Sequence, residues 1–328
     1  MRKIAIIALS LVIVSGAVVF GAGQGEGEDD QMVIGVTVPQ IDADGFRVNV
    51  ESVKRIADAR GVQVLEFSAQ SSADTQLSQI EDMIARGVDG IIINPTDVNA
   101  IGIGVIRANE RGIPVVAMDG NINDGELTAL VESDNVAHGR AAADLMVESA
   151  QRMGMDVGDL RVLELLGDQA TTSGVERHEG FTARAAELGI EIVAQLPTMW
   201  QSDRAYNATL DAFQANPDIN AIFEASDIAM HSGVEAALRQ IDRLYPVGTD
   251  GHVIITAVDG GPAGLDAVRN GFIDGIATQQ LARMGELSAE IVIDAAMGTL
   301  PDQQIHRLNP QLTTQDNVDS PELWANQL

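Results

Sequence analysis

The sequence predicts an α/β protein with two doubly wound parallel sheets, and two observations carry this prediction. The first is the segment 88–97, in which residues 91–93 are three consecutive isoleucines. Such a run is typical of a strand that is buried on both faces, and it ends at Asn94-Pro95 because proline cannot donate to a sheet ladder. The second is that strands of this kind alternate with amphipathic helices along the chain, which is the pattern of βαβ units.

The first half of the chain contains strands and helices in regular alternation. Strands are predicted at 33–38, 62–67, 91–93 and 114–118, and helices at 46–59, from 74 onward and at 100–111. A short strand at 127–131 and a link at 132–135 follow. After this link the same alternation starts again.

The second half repeats the architecture without repeating the sequence. Strands are predicted at 160–165, 190–195, 221–223, 253–258 and 273–278, and helices at 136–151, 173–188, 202–214, 227–240 and 281–297. The tail, residues 298–328, has isolated apolar residues and several prolines, which leaves little room for another domain. These late pieces are expected to complete the two existing sheets, so that the chain crosses between domains more than once.

The N-terminus has the pattern of a signal peptide. Arg2 and Lys3 precede an apolar segment at 4–20, and the small residues 21–23 form a cleavage zone. We therefore expect a signal peptide at 1–22, an acidic linker at 23–31 and export to the periplasm, with cleavage near residue 22. The alternative is an uncleaved membrane anchor, because the apolar segment is about long enough to span a bilayer.

Composition excludes several classes of function. The formal net charge is −28, which disfavours binding to nucleic acid and to anionic membranes. The chain has no Cys, so disulfides, thiol catalysis and Cys-ligated metals are excluded. Its five His residues show no metal-ligand spacing, and no nucleophile or phosphate-loop motif is present. We expect no metal, no cofactor and no enzymatic activity.

Polar residues follow equivalent strands in the two halves. Asn94 follows the third strand of the first half, and Ser226-Asp227 follow the third strand of the second. Asp119 and Asp259 follow the two fourth strands. A single Asp after a strand is commonly a turn former or a helix cap. Four such positions at matching sheet edges instead predict two walls of one cleft, because ligands bind at the carboxyl ends of parallel strands.

Several short motifs together resemble a known family, in order and spacing. They are Asn94-Pro95-Thr96-Asp97, Ser133-Asp134-Asn135, Glu176-Arg177-His178-Glu179-Gly180-Phe181 and Asp259-Gly260. Over about residues 32–319 the chain resembles the periplasmic sugar-binding proteins of ABC importers, specifically the ribose- and xylose-binding group with the type I fold. The resemblance implies two Rossmann-like domains that close on one monosaccharide, and a monomer that delivers it to a membrane permease.

The resemblance also implies domain limits and three hinge crossings. The crossings are expected near Ser133-Asp134, Gln279-Gln280 and Leu308-Asn309. An N-terminal lobe would then comprise 32–133 plus 280–308, and a C-terminal lobe 134–279 plus 309–328.

Carried over position by position, the resemblance implies a set of sugar contacts. They are Phe46, Asn94, Asp119, Arg177, Trp200, Ser226, Asp227, Asp259 and Gln279. These residue types suit a sugar, because carboxylates and amides bind hydroxyls, Arg supplies a fork of donors, and aromatic rings cover the C–H faces. Four of them have a plainer alternative: Asn94 could cap a turn, Trp200 could be a core or surface-anchoring residue, Phe46 could be a core residue, and Arg177 could be a solvated helix residue.

The expected lining predicts a neutral ligand, because three carboxylates accompany a single basic residue, Arg177. Two positions depart from the family pattern. Gly45 stands where relatives often have a second aromatic residue, and Gly120 stands where they often have Arg. Either a different sugar fills this space, or another side chain such as Arg47 reaches into it.

Other functions on this fold fit the sequence less well. Asp119 and Asp259 could form an acid–base pair, but binding requires less of them. A sugar-responsive repressor would need a basic helix-turn-helix of about 60 residues before the core, where this chain has a signal peptide. A periplasmic sensor that presents a sugar or signal molecule to a membrane receptor stays open as an alternative to transport.

Overall fold

The computed structural model describes residues 31–301 and 304–328, and the expected signal peptide and residues 23–30 of the linker lie outside this part. The described residues contain nine α-helices and twelve strands, and the strands form two six-stranded sheets. The predicted fold class is confirmed. No helix in these residues is long and apolar enough to cross a membrane.

The strands have the following bounds: β1 Val33–Val38, β2 Gln63–Ser68, β3 Gly90–Ile93, β4 Val115–Met118, β5 Ala129–Ser133, β6 Arg161–Leu166, β7 Glu191–Pro197, β8 Ala221–Glu224, β9 Ile254–Asp259, β10 Gly275–Thr278, β11 Ile305–Leu308 and β12 Gln311–Thr313. The helices are α1 Asp44–Ala59, α2 Ala73–Arg86, α3 Gly102–Glu110, α4 Asn135–Arg152, α5 Thr172–Leu188, α6 Ser202–Ala215, α7 Asp227–Gln240, α8 Pro262–Arg269 and α9 Leu281–Ala296.

The two sheets have the same strand order with one difference at the edge. The first sheet runs β11-β5-β4-β3-β1-β2, and the second runs β12-β10-β9-β8-β6-β7. All pairings in the first sheet are parallel, whereas β12 pairs antiparallel with β10. Strands β3 and β8 are therefore equivalent, as are β4 and β9, which matches the correspondence expected from the sequence.

The chain passes between the sheets three times. It leaves the first sheet after β5, and α4 then packs on β9 and β10 of the second. It returns after β10, because α9 packs on α1, β3 and β4. The last passage lies between β11 and β12. We call β1–β5, β11, α1–α3 and α9 the first lobe, and β6–β10, β12 and α4–α8 the second lobe.

Strand β3 shows why the isoleucine run forms a central strand. All four of its residues are buried, with Ile92 in one hydrophobic cluster and Ile91 and Ile93 in another on the opposite face. Gly90 lets α9 approach closely, since a Cβ there would lie 2.6 Å from Cγ2 of Val292. Both faces of the sheet are thus covered by helices, as a parallel sheet requires.

The helix ends follow local sequence signals. Ser72, Thr171 and Ser226 each accept a hydrogen bond from a backbone N–H three residues later, at the starts of α2, α5 and α7. Helices α2 and α5 end at Gly87 and Gly189, both in the left-handed region. These signals fix where each helix begins relative to the strand end before it.

The observed elements differ from the sequence expectations mainly at short or late segments. Strand β5 begins and ends two residues later than expected, and it reaches the crossing itself. Strands β11 and β12 have four and three residues, which is too short for a periodic signal. Residues 309–328 are expected in the second lobe. Trp324, in a final 3₁₀ helix (Trp324–Gln327), instead packs among first-lobe residues.

Candidate functional site

The candidate site lies at the carboxyl ends of four strands, two from each sheet. Asn94 follows β3 and Asp119 follows β4 in the first lobe, while Ser226 lies just after β8 and Asp259 ends β9 in the second. In a parallel sheet these positions share one edge, where backbone groups and side chains are free to meet a ligand.

Asp259 is the centre of a hydrogen-bonded cluster. Its Oδ1 accepts from Nη1 of Arg177 at 2.8 Å and from Nε2 of Gln279 at 2.6 Å. Its Oδ2 accepts from the hydroxyl of Ser226, which also caps α7. The residue is 7 % exposed, so this carboxylate is buried with three partners that compensate for its lost hydration.

Both aspartates at the strand ends have strained backbones. The φ angle is 67° at Asp119 and 100° at Asp259, a region that non-glycine residues rarely adopt. Such strain persists only where the surroundings hold it, and it concentrates at functional sites. The same unusual geometry at equivalent positions of two sheets indicates that both side chains are directed by the fold.

Arg177 is held in place by the close packing of α4 and α5. Its Nε donates to Oδ1 of Asn135 at 3.0 Å, and its Nη1 donates to the carbonyl of Ala225 at 2.7 Å. The two helices touch through glycines: a Cβ on Gly139 would lie 2.2 Å from the Arg177 carbonyl, and one on Gly180 would lie 2.2 Å from the carbonyl of Val136. Arg177 is therefore a buried side chain, not a solvated one.

The carboxyl of Asp119 interacts electrostatically with charged groups of the second lobe. Its surface is exposed, yet protein surrounds it closely enough that burial raises the pKa of its carboxyl. The Arg177 guanidinium lowers that pKa and the Asp259 carboxylate raises it, so charges of the second lobe act on a first-lobe residue. Asp119 therefore lies close enough to Arg177 and Asp259 for their charges to affect its carboxyl.

Asn94 places a buried amide beside the carboxyl of Asp119. The residue is 4 % exposed, and its Nδ2 has no hydrogen-bond partner within residues 31–301 and 304–328. It lies close enough to the Asp119 carboxyl to lower the pKa of that group. Its backbone is fixed, since the carbonyl accepts from Nε2 of Gln76 at 2.8 Å. A buried amide N–H without a partner is costly, so a ligand hydroxyl here would remove a penalty.

The two aromatic candidates are both half-buried. Trp200 packs on the second-lobe core, with the Cζ of Arg177 5.8 Å from its ring centroid. A Cβ on Gly167 would lie 2.1 Å from Cη2 of Trp200, so glycine is required for the indole to lie there. Phe46, in the first turn of α1, packs on the first-lobe core.

Asp227 and Arg47 make further contacts that the sequence did not indicate. The Asp227 carboxylate accepts from the backbone N–H groups of Gly260 and Gly261 at 2.8 and 2.9 Å, so both of its oxygens are engaged by the turn after β9. Burial and the Asp259 carboxylate raise the pKa of Asp227. Arg47 forms an ion pair with Asp44 at 2.7 Å on the exposed side of α1. It does not occupy the space beside Gly120.

Three further residues lie beside these contacts, and the sequence analysis assigns none of them a role in ligand binding. The hydroxyl of Ser133 donates to Oε1 of Gln279 at 2.7 Å, which links two crossings. Asn135 holds Arg177, as described above. His138 is fully buried, with Nδ1 2.7 Å from the carbonyl of Asp134. The motif 133–135 carries part of the family resemblance. The fold shows which of its side chains lie beside Gln279 and Arg177.

The cluster is suited to binding polar groups. It offers the donors of Arg177, Asn94 and Gln279 and the acceptors of Asp119 and Asp259 within one region. Among the described residues, no group of three or more His, Asp or Glu side chains could hold a metal ion. The arrangement therefore supplies hydrogen bonds and charge.

Comparison with known proteins decides the family. Residues 34–300 match the sequence model of the periplasmic binding protein domain. The chain belongs to this family. The ribose import binding protein of Bacillus subtilis is 29 % identical over 272 residues, which cover 83 % of this chain and 84 % of the relative. The xylitol-binding protein of Mycolicibacterium smegmatis is 28 % identical over 321 residues, which cover 97 % and 87 %.

Solved structures agree with this assignment. A periplasmic ribose ABC transporter protein from Conexibacter woesei has a TM-score of 0.77 at 22 % identity, covering 88 % of this chain and 93 % of that one. A solute-binding protein from Bacillus halodurans with bound myo-inositol has a TM-score of 0.73 at 25 % identity, covering 91 % and 99 %. The matched relatives are named as binding proteins, which confirms the expectation that this periplasmic binding protein is not an enzyme.

Proposed function

We propose that this periplasmic binding protein captures one neutral monosaccharide or a closely related polyol between its two lobes and delivers it to the permease of an ABC importer. The observation that carries the proposal is the placement of polar side chains at equivalent strand ends of both lobes, where Asp259 is bonded to Arg177, Ser226 and Gln279. Hydroxyl groups placed between them would accept from the guanidinium and donate to the carboxylates.

The charges of the cluster favour a neutral ligand. Asp119 and Asp259 contribute two carboxylates against the single guanidinium of Arg177, which is already paired with Asp259. An anionic sugar would meet repulsion, both locally and from a chain of net charge −28. The relatives named for ribose, xylitol and D-allose support the same ligand class, because all three compounds are neutral polyhydroxylated molecules.

We assign the ligand contacts to residues that face the cluster from both lobes. They are Phe46, Asn94, Asp119, Arg177, Trp200, Ser226, Asp259 and Gln279. Asp227, the ninth expected contact, also holds the turn that follows Asp259. The lobe limits 32–133 plus 280–308 and 134–279 plus 309–328 fit this assignment, with Trp324 as the exception described above.

A ligand panel tests the proposal. D-ribose, D-xylose, D-allose, xylitol, myo-inositol and ribose 5-phosphate are screened by thermal shift, and calorimetry follows for each one that stabilises the chain. We expect at least one neutral compound to bind and the phosphate not to bind. Asp119→Asn should weaken binding, whereas Asp211→Asn, an exposed carboxylate on α6, should not. Tightest binding by the phosphate would refute the neutral-ligand proposal.

Delivery to an importer implies export, and we propose that residues 1–22 are removed and that the mature chain is a monomer. Mass spectrometry of the protein recovered from the periplasm should give an N-terminus near residue 23. Light scattering should give the mass of one chain. A full-length, membrane-bound product would support the uncleaved anchor instead.

A further inference from the structure

The C-terminal segment after β12 lies across both lobes. On the second lobe, Nη2 of Arg269 in α8 donates to Oδ1 of Asn326 at 2.8 Å, and Leu323 packs into the hydrophobic core. The next residue, Trp324, packs instead among residues of α1 and α9 in the first lobe and is 1 % exposed. The segment thus joins the lobes at a fourth place, in addition to the three backbone crossings.

Trp324 also contacts the candidate site. Its indole Nε1 donates to the backbone carbonyl of Asp259 at 3.0 Å, and the backbone N–H of Gln279 donates to the same oxygen at 3.1 Å. On the other side of this peptide, Asp227 binds the N–H groups of Gly260 and Gly261. These contacts enclose a residue whose φ of 100° needs support from its surroundings.

We propose that Trp324 is a positioning residue for the ligand site. Its indole holds the carbonyl of Asp259, and this fixes where the Asp259 carboxylate meets Arg177 and Gln279. Because the same ring is packed in the first lobe, the position of Asp259 depends on how the first lobe sits against the second. The tail therefore transmits the arrangement of the lobes to the central carboxylate.

A purely structural role makes a different prediction. A buried tryptophan contributes packing, and its N–H needs a partner wherever it is buried. If Trp324 served packing alone, removing its N–H would change stability and leave ligand affinity unchanged. Trp324→Phe removes the donor and keeps most of the apolar contact. Leu323→Ala removes packing from the same segment and keeps the donor, so it is the matched control.

The first test measures binding in the full chain and rests on the proposed function. Calorimetry uses the tightest-binding of D-ribose, D-xylose, D-allose, xylitol and myo-inositol, well below the unfolding temperature. Both variants should lower Tm, but only Trp324→Phe should raise Kd, by about fivefold, the loss expected for one hydrogen bond. Equal effects of both variants on Kd, or no effect of either, would overturn the proposal.

The second test needs no ligand and separates the two proposals. The chain has two Trp, so its ¹H–¹⁵N spectrum has two indole signals, and Trp324→Phe identifies the one from Trp324. Asp259→Asn should shift this signal, whereas Asp119→Asn, the equivalent change in the first lobe, should shift it less. Equal shifts would overturn the positioning role. A larger shift with Asp259→Asn, together with failure of every compound to bind, would refute only the proposed function.

Discussion

The two lobes share a strand order but bury different kinds of polar residue. In the described part of the first lobe the buried polar side chains are neutral, and they are Thr37, Asn49, Ser52, Gln76, Asn94, Ser133 and Ser288. The second lobe buries nine ionisable side chains, which are His138, Glu164, Arg177, Glu224, Asp227, His231, His252, Asp259 and Asp274. One topology thus accommodates both a neutral interior and an ionisable one.

Pairs of histidine and carboxylate side chains stabilise the ionisable interior of the second lobe. Glu164 and Glu224 lie 2.8 and 3.1 Å from Nδ1 of His178 and His231, and Asp274 lies 3.0 Å from Nε2 of His252. A buried charge is tolerated when it has a partner and becomes expensive when the partner is removed. Substitution of these ionisable residues and changes in pH should therefore alter the stability of the second lobe. Equivalent changes in the first lobe should alter only ligand binding.

The largest contrast is expected between the two central aspartates. Asp259→Ala leaves Arg177 buried without its carboxylate, which should lower the free energy of unfolding by about 3–5 kcal/mol and abolish binding. Asp119→Ala should change the free energy of unfolding by no more than about 0.5 kcal/mol, because burial already disfavours the Asp119 charge. This variant should also weaken binding. Urea unfolding of both variants measures this difference. Equal losses of stability would break the contrast between the lobes.

The second contrast is a pH dependence that His138 gives to the second lobe. Burial lowers the pKa of His138 to about 4, so the folded state favours the neutral ring. The unfolded value is about 6.5, and His138 therefore contributes stability above that pH, which is lost as the pH falls towards 4. The loss corresponds to about 3 kcal/mol. His138→Gln should flatten the stability profile in this window when unfolding is measured from pH 7 to 4.

His252 provides the matched control because its effect has the opposite sign. Burial disfavours its charge, but the Asp274 carboxylate outweighs burial and raises the pKa of His252. This contribution is complete below the unfolded pKa and is lost as the pH rises through the folded pKa. His252→Gln should therefore reduce stability most at the acid end. Parallel profiles for the two variants would contradict the assignment.

A smaller contrast concerns the aromatic residues on either side of the cleft. Trp200→Ala should weaken sugar binding by about 1–2 kcal/mol, and Phe46→Ala by less, because the indole offers the larger face and already lies beside Arg177. Calorimetry with the best compound of the panel measures both. Gly167→Ala keeps the indole but displaces it, since its Cβ would meet Cη2 of Trp200. Full affinity in this variant would show that the placement of the ring is unimportant.

The smallest effects on binding and stability are expected for Asn94 and for Ser226, its equivalent in the second lobe. Asn94→Ala should cost about 1 kcal/mol of binding and little stability, because its Nδ2 has no partner in the described part of the chain. Ser226→Ala should cost about 1 kcal/mol of stability, since the hydroxyl caps α7 and donates to Asp259. Unfolding and binding are measured for both variants. Loss of stability in Asn94→Ala together with loss of binding in Ser226→Ala would contradict this assignment.

The sequence predicted those parts of the site that depend on local pattern. The isoleucine run and Pro95 located the end of β3, and the alternation of elements placed Asn94, Asp119, Ser226 and Asp259 at equivalent strand ends. These are consequences of strand burial and of proline's missing donor, which act within a few residues.

The parts that the sequence did not predict depend on distant partners. No local pattern indicates that the Asp227 carboxylate binds the turn at Gly260 and Gly261. Trp324 lies in a segment without periodicity, and its partner Asp259 is 65 residues away. Only the folded chain reveals that a tail residue reaches the site.

The edge pairing of β5 with β11 joins two distant parts of the chain. Ile305 is in register with Leu130, and Arg307 forms an ion pair with Glu132 across 175 residues of sequence. The first lobe also needs α9, so it remains incomplete until nearly the whole chain has been synthesised. Domains usually fold in the order of synthesis, but here the second lobe has all of β6–β10 before the first has its last strand. The sheet of the first lobe is therefore completed only by residues close to the end of the chain.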